Sequence, residues 1–346
     1  VLMTATAENP YQSMLIDSLE EKGVEVVEKS FIPPYLLLWT LLKIRPDVLH
    51  LHWEYQFYMT TDDNFAKNIA AALLYIPQMA LISLFTRIVW SFHDKENHNG
   101  KFKNFNRFMK RFTYFIADEV QIWDKNTRNE IIEYLNIRNE EKLTIIPHGS
   151  YIPVYEDISI PSQKSARESL ELPEKDKVFL FFGYIKPYKQ VELLIDKFKE
   201  GSKENCTLLI VGSPHTESYR RQILDKIEGH PNIRYIFDYV PEEDVPIYFS
   251  ASDALVVPFN QIFNSGSVIL GMSLSKLVLA PNQGSIKSYL PKENIVYDNF
   301  GEGFDKLLSM ERSEIEDIGK ENRNYARKHL DWESIAKKTI LMYKNK

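Results

Sequence analysis

The most informative part of the sequence reads Phe179-Leu-Phe-Phe-Gly-Tyr-Ile-Lys-Pro-Tyr-Lys-Gln-Val-Glu-Leu-Leu-Ile195. The apolar run that ends at Gly183 is typical of a buried strand, and the pattern from Val191 onward predicts a helix. Lys186 and Lys189 lie in the loop between them. Open α/β sheets bind ligands at the carboxyl ends of their strands, so this loop favours a phosphate. Two solvated lysines in an ordinary loop are the alternative.

A second segment, residues 253–281, has the same order of strand, loop and helix. Its Ser265-Gly-Ser267 stands where the helix is predicted to begin. Glycine allows close approach to the backbone, and serine hydroxyls can cap the helix or bind a phosphate. Capping alone explains the tripeptide, but both segments together predict one site. The predicted diphosphate site consists of Lys186, Lys189, Ser265, Gly266 and Ser267.

The rest of the chain alternates short apolar runs with longer amphipathic stretches, which predicts parallel sheets with crossover helices. Its 346 residues suggest two domains. We therefore predict an α/β protein with two Rossmann-like, doubly wound domains. The predicted parts are an N-terminal domain (1–150), a linker (151–175), a C-terminal domain (176–330) and an amphipathic helix returning to the N-terminal domain (331–346). Residues 150–164 have two prolines and no helical period. Predicted strands cover 24–28, 47–51, 88–92, 119–123, 143–146, 178–183, 207–212, 233–237, 254–257, 277–280 and 294–297.

Composition excludes several classes of protein. A single cysteine, Cys206, rules out a disulfide framework and a multi-cysteine metal site, and favours a reducing cytoplasmic setting. The net charge of −6 gives no sign of nucleic-acid binding. The first residues do not have the pattern of a secretion signal.

Two apolar segments bear on membranes. Residues 68–86 contain no charged side chain, and we predict a mostly buried helix that at most touches a bilayer, with a spanning helix as the less favoured alternative. Residues 101–115 carry five basic and no acidic residues. This composition predicts contact with an anionic membrane surface, and residues 35–42 offer a second contact. The predicted apolar face is Phe105, Phe108, Met109 and Phe112, bordered by Lys103, Lys110 and Arg111.

The order of the segments resembles the GT-B glycosyltransferases, and specifically glycosyltransferase family 4. The resemblance covers nearly the whole chain and rests on five short matches. Gly183-Tyr-Ile-Lys-Pro-Tyr-Lys-Gln is similar to the family's Gly-Arg-Leu…Lys-Gly loop, and Ile146-Pro-His-Gly to its Ile-Pro-Asn-Gly turn. Ala251-Ser-Asp-Ala…Pro258 resembles its Ala-Asp-x-x-x-x-Pro strand. Arg45-Pro-Asp-Val-Leu-His-Leu-His52 and Ile88-Val-Trp-Ser-Phe-His93 are similar to two strands of its N-terminal domain.

The resemblance implies two domains that face a central cleft, with a nucleoside-diphosphate sugar, carrying GDP or UDP, bound by the C-terminal domain. Two departures stand out. The family's arginine after the glycine is Tyr184 here, and its paired glutamates, expected near Ile262 and Leu270, are absent. Recognition of the base or sugar then passes to other groups. The resemblance implies Tyr184, Asp238, Tyr239, Val240 and Asn264 for that role.

His93 follows a predicted strand and is the catalytic candidate that the resemblance implies. Neutral imidazole can bind a sugar hydroxyl, and imidazolium can stabilise the departing diphosphate. Asp94 is the nearest carboxylate for a general base. His50 and His52 share a strand face, so a metal is conceivable there, yet no third ligand is evident. GT-B enzymes need no bound metal, so the resemblance implies no metal and no cofactor. The predicted acceptor side is Asn9, Tyr11, Gln12, His52, Trp53 and Glu54, with helix capping as the alternative around Asn9.

The expected activity is transfer of a hexose from a nucleotide sugar to a glycan or lipid-linked saccharide, in the synthesis of a cell-surface polysaccharide or glycoconjugate. The protein would work in the cytoplasm, peripheral at the inner face of the cell membrane. Two alternatives stay open. One is a nucleotide-sugar epimerase on the same fold, and the other is a subunit that binds nucleotide sugar without transferring it.

Overall fold

The computed structural model describes residues 1–4, 9–29, 32–60, 64–95, 102–201 and 204–345. The chain divides into two compact units. The first unit comprises residues 1–149 together with 332–346, and the second comprises residues 150–331. The C-terminal segment therefore belongs to the first unit, where its helix packs against the first helix of the chain.

The first unit contains a six-stranded sheet in which every pairing is parallel, in the order β2-β1-β3-β4-β5-β6. Its central strands are buried on both faces, as their unbroken apolar runs predict. The strands are β1 (Leu2–Thr4), β2 (Val27–Lys29), β3 (Val48–His52), β4 (Arg87–Ser91), β5 (Glu119–Ile122) and β6 (Leu143–Ile145). The helices are α1 (Pro10–Glu20), α2 (Leu37–Ile44), α3 (Phe65–Ile82), α4 (Lys103–Ile116), α5 (Lys125–Leu135) and, at the end of the chain, α14 (Trp332–Lys344).

The second unit repeats the architecture with a sheet in the order β12-β11-β10-β7-β8-β9, again entirely parallel. The strands are β7 (Lys177–Phe182), β8 (Cys206–Val211), β9 (Ile233–Ile236), β10 (Ala254–Val256), β11 (Leu277–Pro281) and β12 (Ile295–Tyr297). The helices are α6 (Gln163–Ser169), α7 (Val191–Gly201), α8 (Glu217–Ile227), α9 (Val245–Ala251), α10 (Gly266–Ser273), α11 (Ile286–Tyr289), α12 (Phe300–Ser309) and α13 (Arg312–His329). The predicted α/β fold with two parallel sheets is confirmed.

Each sheet has a point where the strand order reverses. In the first unit the reversal lies between β1 and β3, and in the second between β7 and β10. Doubly wound sheets bind ligands in the crevice at this point, outside the carboxyl ends of the strands. The loops after β7 and β10 are the two that the sequence assigns to the diphosphate.

Two local predictions differ from the structure. The stretch 150–164, predicted to have no helical period, contains a short 3₁₀ helix (Pro153–Tyr155) and the first residues of α6, which packs on α9. The uncharged segment forms α3 as expected, but only 28% of that helix is buried, so the prediction of a mostly buried helix is wrong. By length and composition alone α3 is also long and apolar enough to cross a membrane.

Candidate functional site

Gly183 marks the meeting point of the two predicted phosphate loops. Its φ of +114° is unfavourable for side chains, and a Cβ there would lie 3.3 Å from Lys189 Nζ and 3.8 Å from Ser267 Oγ. A lysine from the loop after β7 and a serine from the loop after β10 therefore converge on the open side of one glycine. We refer to Gly183, Lys189 and Ser267 as the Gly183 site.

Lys189 is a buried cation. Its Nζ lies 4.8 Å from the ring centroid of Phe259 and 6.0 Å from that of Phe181, and no carboxylate among the described residues pairs with it. Burial, followed by repulsion from Lys186, lowers the pKa of Lys189 to about 7. Aromatic faces stabilise an ammonium only modestly. A bound anion would supply the charge partner that the protein does not.

The first turn of α10 adds backbone donors to the Gly183 site. Ser265 is the N-cap residue, and its Oγ accepts a hydrogen bond from Val268 N at 3.4 Å, so capping accounts for this hydroxyl. A Cβ at Gly266 would lie 2.8 Å from the Tyr151 hydroxyl, which explains the glycine there. Ser267 instead points toward Gly183. The partial positive charge at this helix end favours an anion.

The sequence missed the loop that supports this helix start. Gly284 has a φ of +55°, and a Cβ there would lie 2.2 Å from the carbonyl oxygen of Phe263. Ser285 N donates to that oxygen at 3.0 Å, and Ser285 Oγ donates to Asn264 Oδ1 at 3.0 Å. Asn264 is thereby fixed with its amide N–H groups directed elsewhere. The only hint in the sequence is the glycine that follows β11, the strand beside β10.

The structure describes no contact between the Gly183 site and the side chains of the remaining candidates for binding the donor base or sugar. Tyr184 is exposed, and the Lys186 ammonium lies 5.4 Å from its ring centroid. Asp238 and Tyr239 are exposed, and Val240 is half-buried, in the loop after β9, which is two strands away from β7. Asp238 Oδ1 accepts from Tyr239 N at 2.8 Å. Their roles toward base or sugar stay predictions.

In the first unit, the ends of β3 and β4 bring histidines together. His52 Nδ1 lies 2.9 Å from His93 Nε2, and His50 is 4.2 Å from His52 between ring centroids. His148, from the turn after β6, lies across the ring of Tyr11. We call His50, His52, His93 and His148 the histidine cluster. Their pKa values are all lowered, chiefly by burial, to about 3 for His50 and about 4 for His148. A lowered pKa favours neutral imidazole for His93 in the free protein, and its role toward the sugar or the diphosphate stays a prediction.

Aromatic rings hold His93 in place. Trp53 stacks on it with ring centroids 4.1 Å apart and an angle of 14° between the planes. Trp123 packs at 5.3 Å, and its Nε1 donates to the carbonyl of Phe92 at 2.8 Å. Trp53 has a φ of +46°, an unusual conformation for a tryptophan at the end of a strand. Trp123 was not among the predicted site residues. Asp94 follows His93 and is half-buried, and its role as a base stays a prediction.

Several predicted acceptor contacts are instead structural. Glu54 is buried; it accepts from Lys110 Nζ at 2.7 Å, Tyr58 at 2.9 Å and Trp90 Nε1 at 3.0 Å. Glu54 is thus a core residue, and its assignment to the acceptor side is wrong. Lys110 is equally wrong as a border residue of α4, because it is buried in this ion pair. A buried pair is stable only when its polar atoms are satisfied, as they are here.

The other acceptor candidates surround the start of α1. Asn9 is its N-cap, with Oδ1 accepting from Tyr11 N at 3.1 Å, so the capping alternative describes its contact. Gln12 is buried and donates to the carbonyl of Thr4 at 2.9 Å. Tyr11 is buried beneath His93, and His52 is fully buried. Of these candidates only Trp53 and Asn9 retain partial exposure.

Comparison with known proteins gives the chain its context. Residues 162–325 match the family described as "Glycosyl transferases group 1". The GDP-mannose:glycolipid 4-beta-D-mannosyltransferase of Xanthomonas campestris pv. campestris is 29% identical over 275 residues, 79% of this chain and 70% of the relative. The D-inositol 3-phosphate glycosyltransferase of Corynebacterium glutamicum is 21% identical over 49% of this chain and 45% of its own length.

Solved structures share the fold. The Anabaena protein HepE in complex with UDP-glucose superposes with a TM-score of 0.74 at 13% identity, covering 98% of both chains. The sucrose-phosphate synthase of Thermosynechococcus elongatus gives 0.73 at 15% identity, covering 99% of this chain and 97% of that one. The chain therefore shares its fold with these solved structures, and residues 162–325, within its second unit, match the glycosyl transferases group 1 family.

Proposed function

We propose that this enzyme transfers a hexose from a nucleoside-diphosphate sugar to a lipid-linked saccharide during synthesis of a surface polysaccharide or glycoconjugate. One observation carries the donor half of this proposal. Lys189 is a buried ammonium without a carboxylate partner among the described residues, and it meets Ser267 at the open face of Gly183. A diphosphate is the ligand whose charge and size suit that arrangement.

The similar proteins suggest which nucleotide sugars to test first as the donor. The Xanthomonas relative is named for GDP-mannose and for a glycolipid acceptor, whereas HepE was solved with UDP-glucose. The sequence relative has the higher identity, so GDP-mannose is the first donor to test and a UDP-hexose the second. The glycolipid in its name agrees with the membrane surface described below.

In the proposed transfer reaction the protein forms no covalent bond to the sugar. The bond between the anomeric carbon and the diphosphate oxygen breaks, a bond to the acceptor oxygen forms, and the acceptor loses its proton. Negative charge develops on the leaving diphosphate. Protonated Lys189, the Ser267 hydroxyl and the first-turn amides of α10 are positioned to stabilise that charge.

Binding and turnover with a matched pair of lysine variants test the donor half. Lys189→Met should weaken GDP or UDP binding by about tenfold or more in calorimetry, because a charge-assisted contact is lost. Lys276→Met is the control, since Lys276 is half-buried and also has a lowered pKa, of about 8, yet precedes β11 at the opposite edge of the sheet. Unchanged nucleotide binding and transfer in Lys189→Met would remove the diphosphate assignment.

The acceptor half rests on the surface of α2, α3 and α4. Helix α3 contacts both α2 and α4, and all three helices expose large apolar side chains. Trp39 is 59% exposed, Leu73 69% and Phe115 78%. None of the three helices contains an aspartate or glutamate, although the whole chain has a net charge of −6. We call this region the apolar basic surface. Its exposed cations include Lys43, Lys67, Lys103, Arg107 and Arg111.

An apolar face on three helices that carry cations and no carboxylate is suited to the interface of an anionic bilayer, and Glu133 of α5 is the carboxylate that lies beside Arg107 and Phe108. The enzyme would then lie on the cytoplasmic face of the membrane, where a lipid-linked acceptor is held. Phe108 and Phe115 of α4 are both exposed, as contact of this helix with a membrane would require.

Vesicle sedimentation tests this surface. The chain should bind vesicles with phosphatidylglycerol more strongly than vesicles of phosphatidylcholine alone, and added salt should weaken the binding. Phe108→Ser together with Phe115→Ser should abolish most of it. Leu341→Ser is the matched control, because Leu341 is 61% exposed in the same unit but lies on α14. If vesicle binding depended neither on lipid charge nor on the two phenylalanines, the proposed membrane surface would be wrong. The proposed donor site would not be affected by that result.

A further inference from the structure

His52 makes the only hydrogen bond that links His93 to the rest of the described first unit. Its Nδ1 lies 2.9 Å from His93 Nε2, and the two rings are 5.1 Å apart between centroids. Three hydrogen bonds hold the backbone of His52 in place. Its N–H donates to Thr4 Oγ1 at 2.8 Å, and its carbonyl accepts from the same hydroxyl at 3.1 Å and from Gln56 Nε2 at 3.2 Å. The imidazole ring of His52 is itself fully buried, in contact with the rings of Tyr11, His50 and His93, which restricts its movement.

The second nitrogen of His52 determines where its proton lies. His52 Nε2 is buried and has no hydrogen-bond partner in the described part of the chain. A neutral imidazole carries one N–H and one lone pair. A buried N–H without an acceptor is a rare defect, whereas an unpaired acceptor is tolerated more often. The proton of His52 therefore belongs on Nδ1, where it is donated to His93 Nε2.

We propose that His52 is a positioning residue that fixes His93 in the tautomer with its proton on Nδ1. Because His93 Nε2 accepts from His52, the remaining ring nitrogen must carry the proton and act as a donor. His93 then offers an N–H to an oxygen of the bound substrate, such as a sugar hydroxyl or a phosphate. It offers no lone pair with which to remove a proton from the acceptor. This inference rests on the proposed function only for what His93 touches.

The surroundings support two neutral rings. Burial is the largest cause that lowers the pKa of His52 and of His93. His50 and His93 reinforce it at His52, and His148, His50 and Lys110 reinforce it at His93. The stack of Trp53 on His93 further prevents the imidazole from flipping to exchange its nitrogens. The position of the His93 ring is thus set by Trp53, and its tautomer is set by His52.

The test is the imidazole nitrogen spectrum of the full chain labelled with ¹⁵N-histidine. In the wild type we expect His93 to be neutral and protonated at Nδ1. His52→Phe removes the donor and should shift His93 toward the Nε2 tautomer or a mixture, while His52→Asn, whose amide can donate from nearly the same place, should retain the Nδ1 form. His50→Phe is the control, because His50 bonds Tyr343 and Ser91 rather than His93, and should leave the tautomer unchanged.

Kinetics give a second readout. His52→Phe should lower kcat about tenfold with little change in the KM for the nucleotide sugar, and His52→Asn should restore most of it. A wild-type His93 protonated at Nε2, or a tautomer unmoved by His52→Phe, would overturn the inference; the first result is decisive even if the variant fails to fold. Because the spectrum needs no substrate, it separates this failure from a failure of the proposed function, which would appear as a wild type that transfers no sugar.

Discussion

The two units have the same kind of sheet and place their candidate residues at the same edge of it, yet they treat polar side chains in opposite ways. At the Gly183 site, Lys189 is buried without a charge partner among the described residues. In the histidine cluster, most ring nitrogens are bonded to protein groups, as His50 is to Tyr343 and Ser91. The first arrangement leaves a buried amine that an anionic ligand can pair with once it is protonated. The second fixes geometry, which is what a residue facing a reacting centre needs.

The largest expected effect comes from breaking a fully satisfied group in the first unit. Glu54→Ala leaves the Lys110 ammonium and the Trp90 and Tyr58 donors buried without their acceptor. Removing one partner of a buried ion pair costs roughly 3–5 kcal/mol. Chemical denaturation should show this loss, while nucleotide binding by the second unit should persist where the variant stays folded. A loss below 1 kcal/mol would mean that the pair is hydrated.

Gly284→Ala tests how tightly the second unit positions its helix start. The new Cβ would lie 2.2 Å from the Phe263 carbonyl oxygen, at a φ of +55°. We expect a loss of about 2 kcal/mol in unfolding free energy and at least tenfold weaker nucleotide binding, since the loop must move. Gly229→Ala has a φ of +78° but meets nothing within 4 Å, so it shares the backbone strain and should spare the binding. Equal binding losses in both variants would contradict the positioning role.

The lowered pKa of Lys189 predicts linked protonation. With a pKa of about 7 in the free protein, Lys189 is partly neutral at pH 7.5 to 8 and must gain a proton when a diphosphate binds. Affinity should therefore fall as pH rises above 7, by up to about tenfold per unit. Calorimetry at pH 8 in buffers of different ionisation enthalpy should show proton uptake that Lys189→Met abolishes. Proton release or no exchange would argue against a buried, ligand-charged lysine.

The smallest effect concerns Asn9. As an N-cap, Asn9→Ala should cost about 1 kcal/mol of stability, and Asn9→Ser should recover most of it, with kcat and acceptor KM unchanged. A rise in acceptor KM that exceeds the stability change, and that serine does not repair, would return Asn9 to the acceptor side.

The sheets could be predicted from the sequence because parallel strands that are buried on both faces consist mostly of apolar residues. The loops after β7 and β10 could be located because they follow two of those strands. It could not predict which charges pair in space. Glu54 and Lys110 are 56 residues apart, and each was read as a surface group until the fold brought them together. The exposure of α3 could not be predicted either, because an uncharged apolar helix can have the same composition whether it packs in a protein core or lies on a bilayer. Gly284 matters through contact with another loop, which no local pattern reveals.

A structure of the chain with GDP or UDP bound would test the central claim most directly. The account predicts the diphosphate in the second unit, within about 3 Å of Lys189 Nζ and Ser267 Oγ and beside the first-turn amides of α10. A nucleotide bound with its phosphates at other residues, with Lys189 still buried and alone, would contradict it.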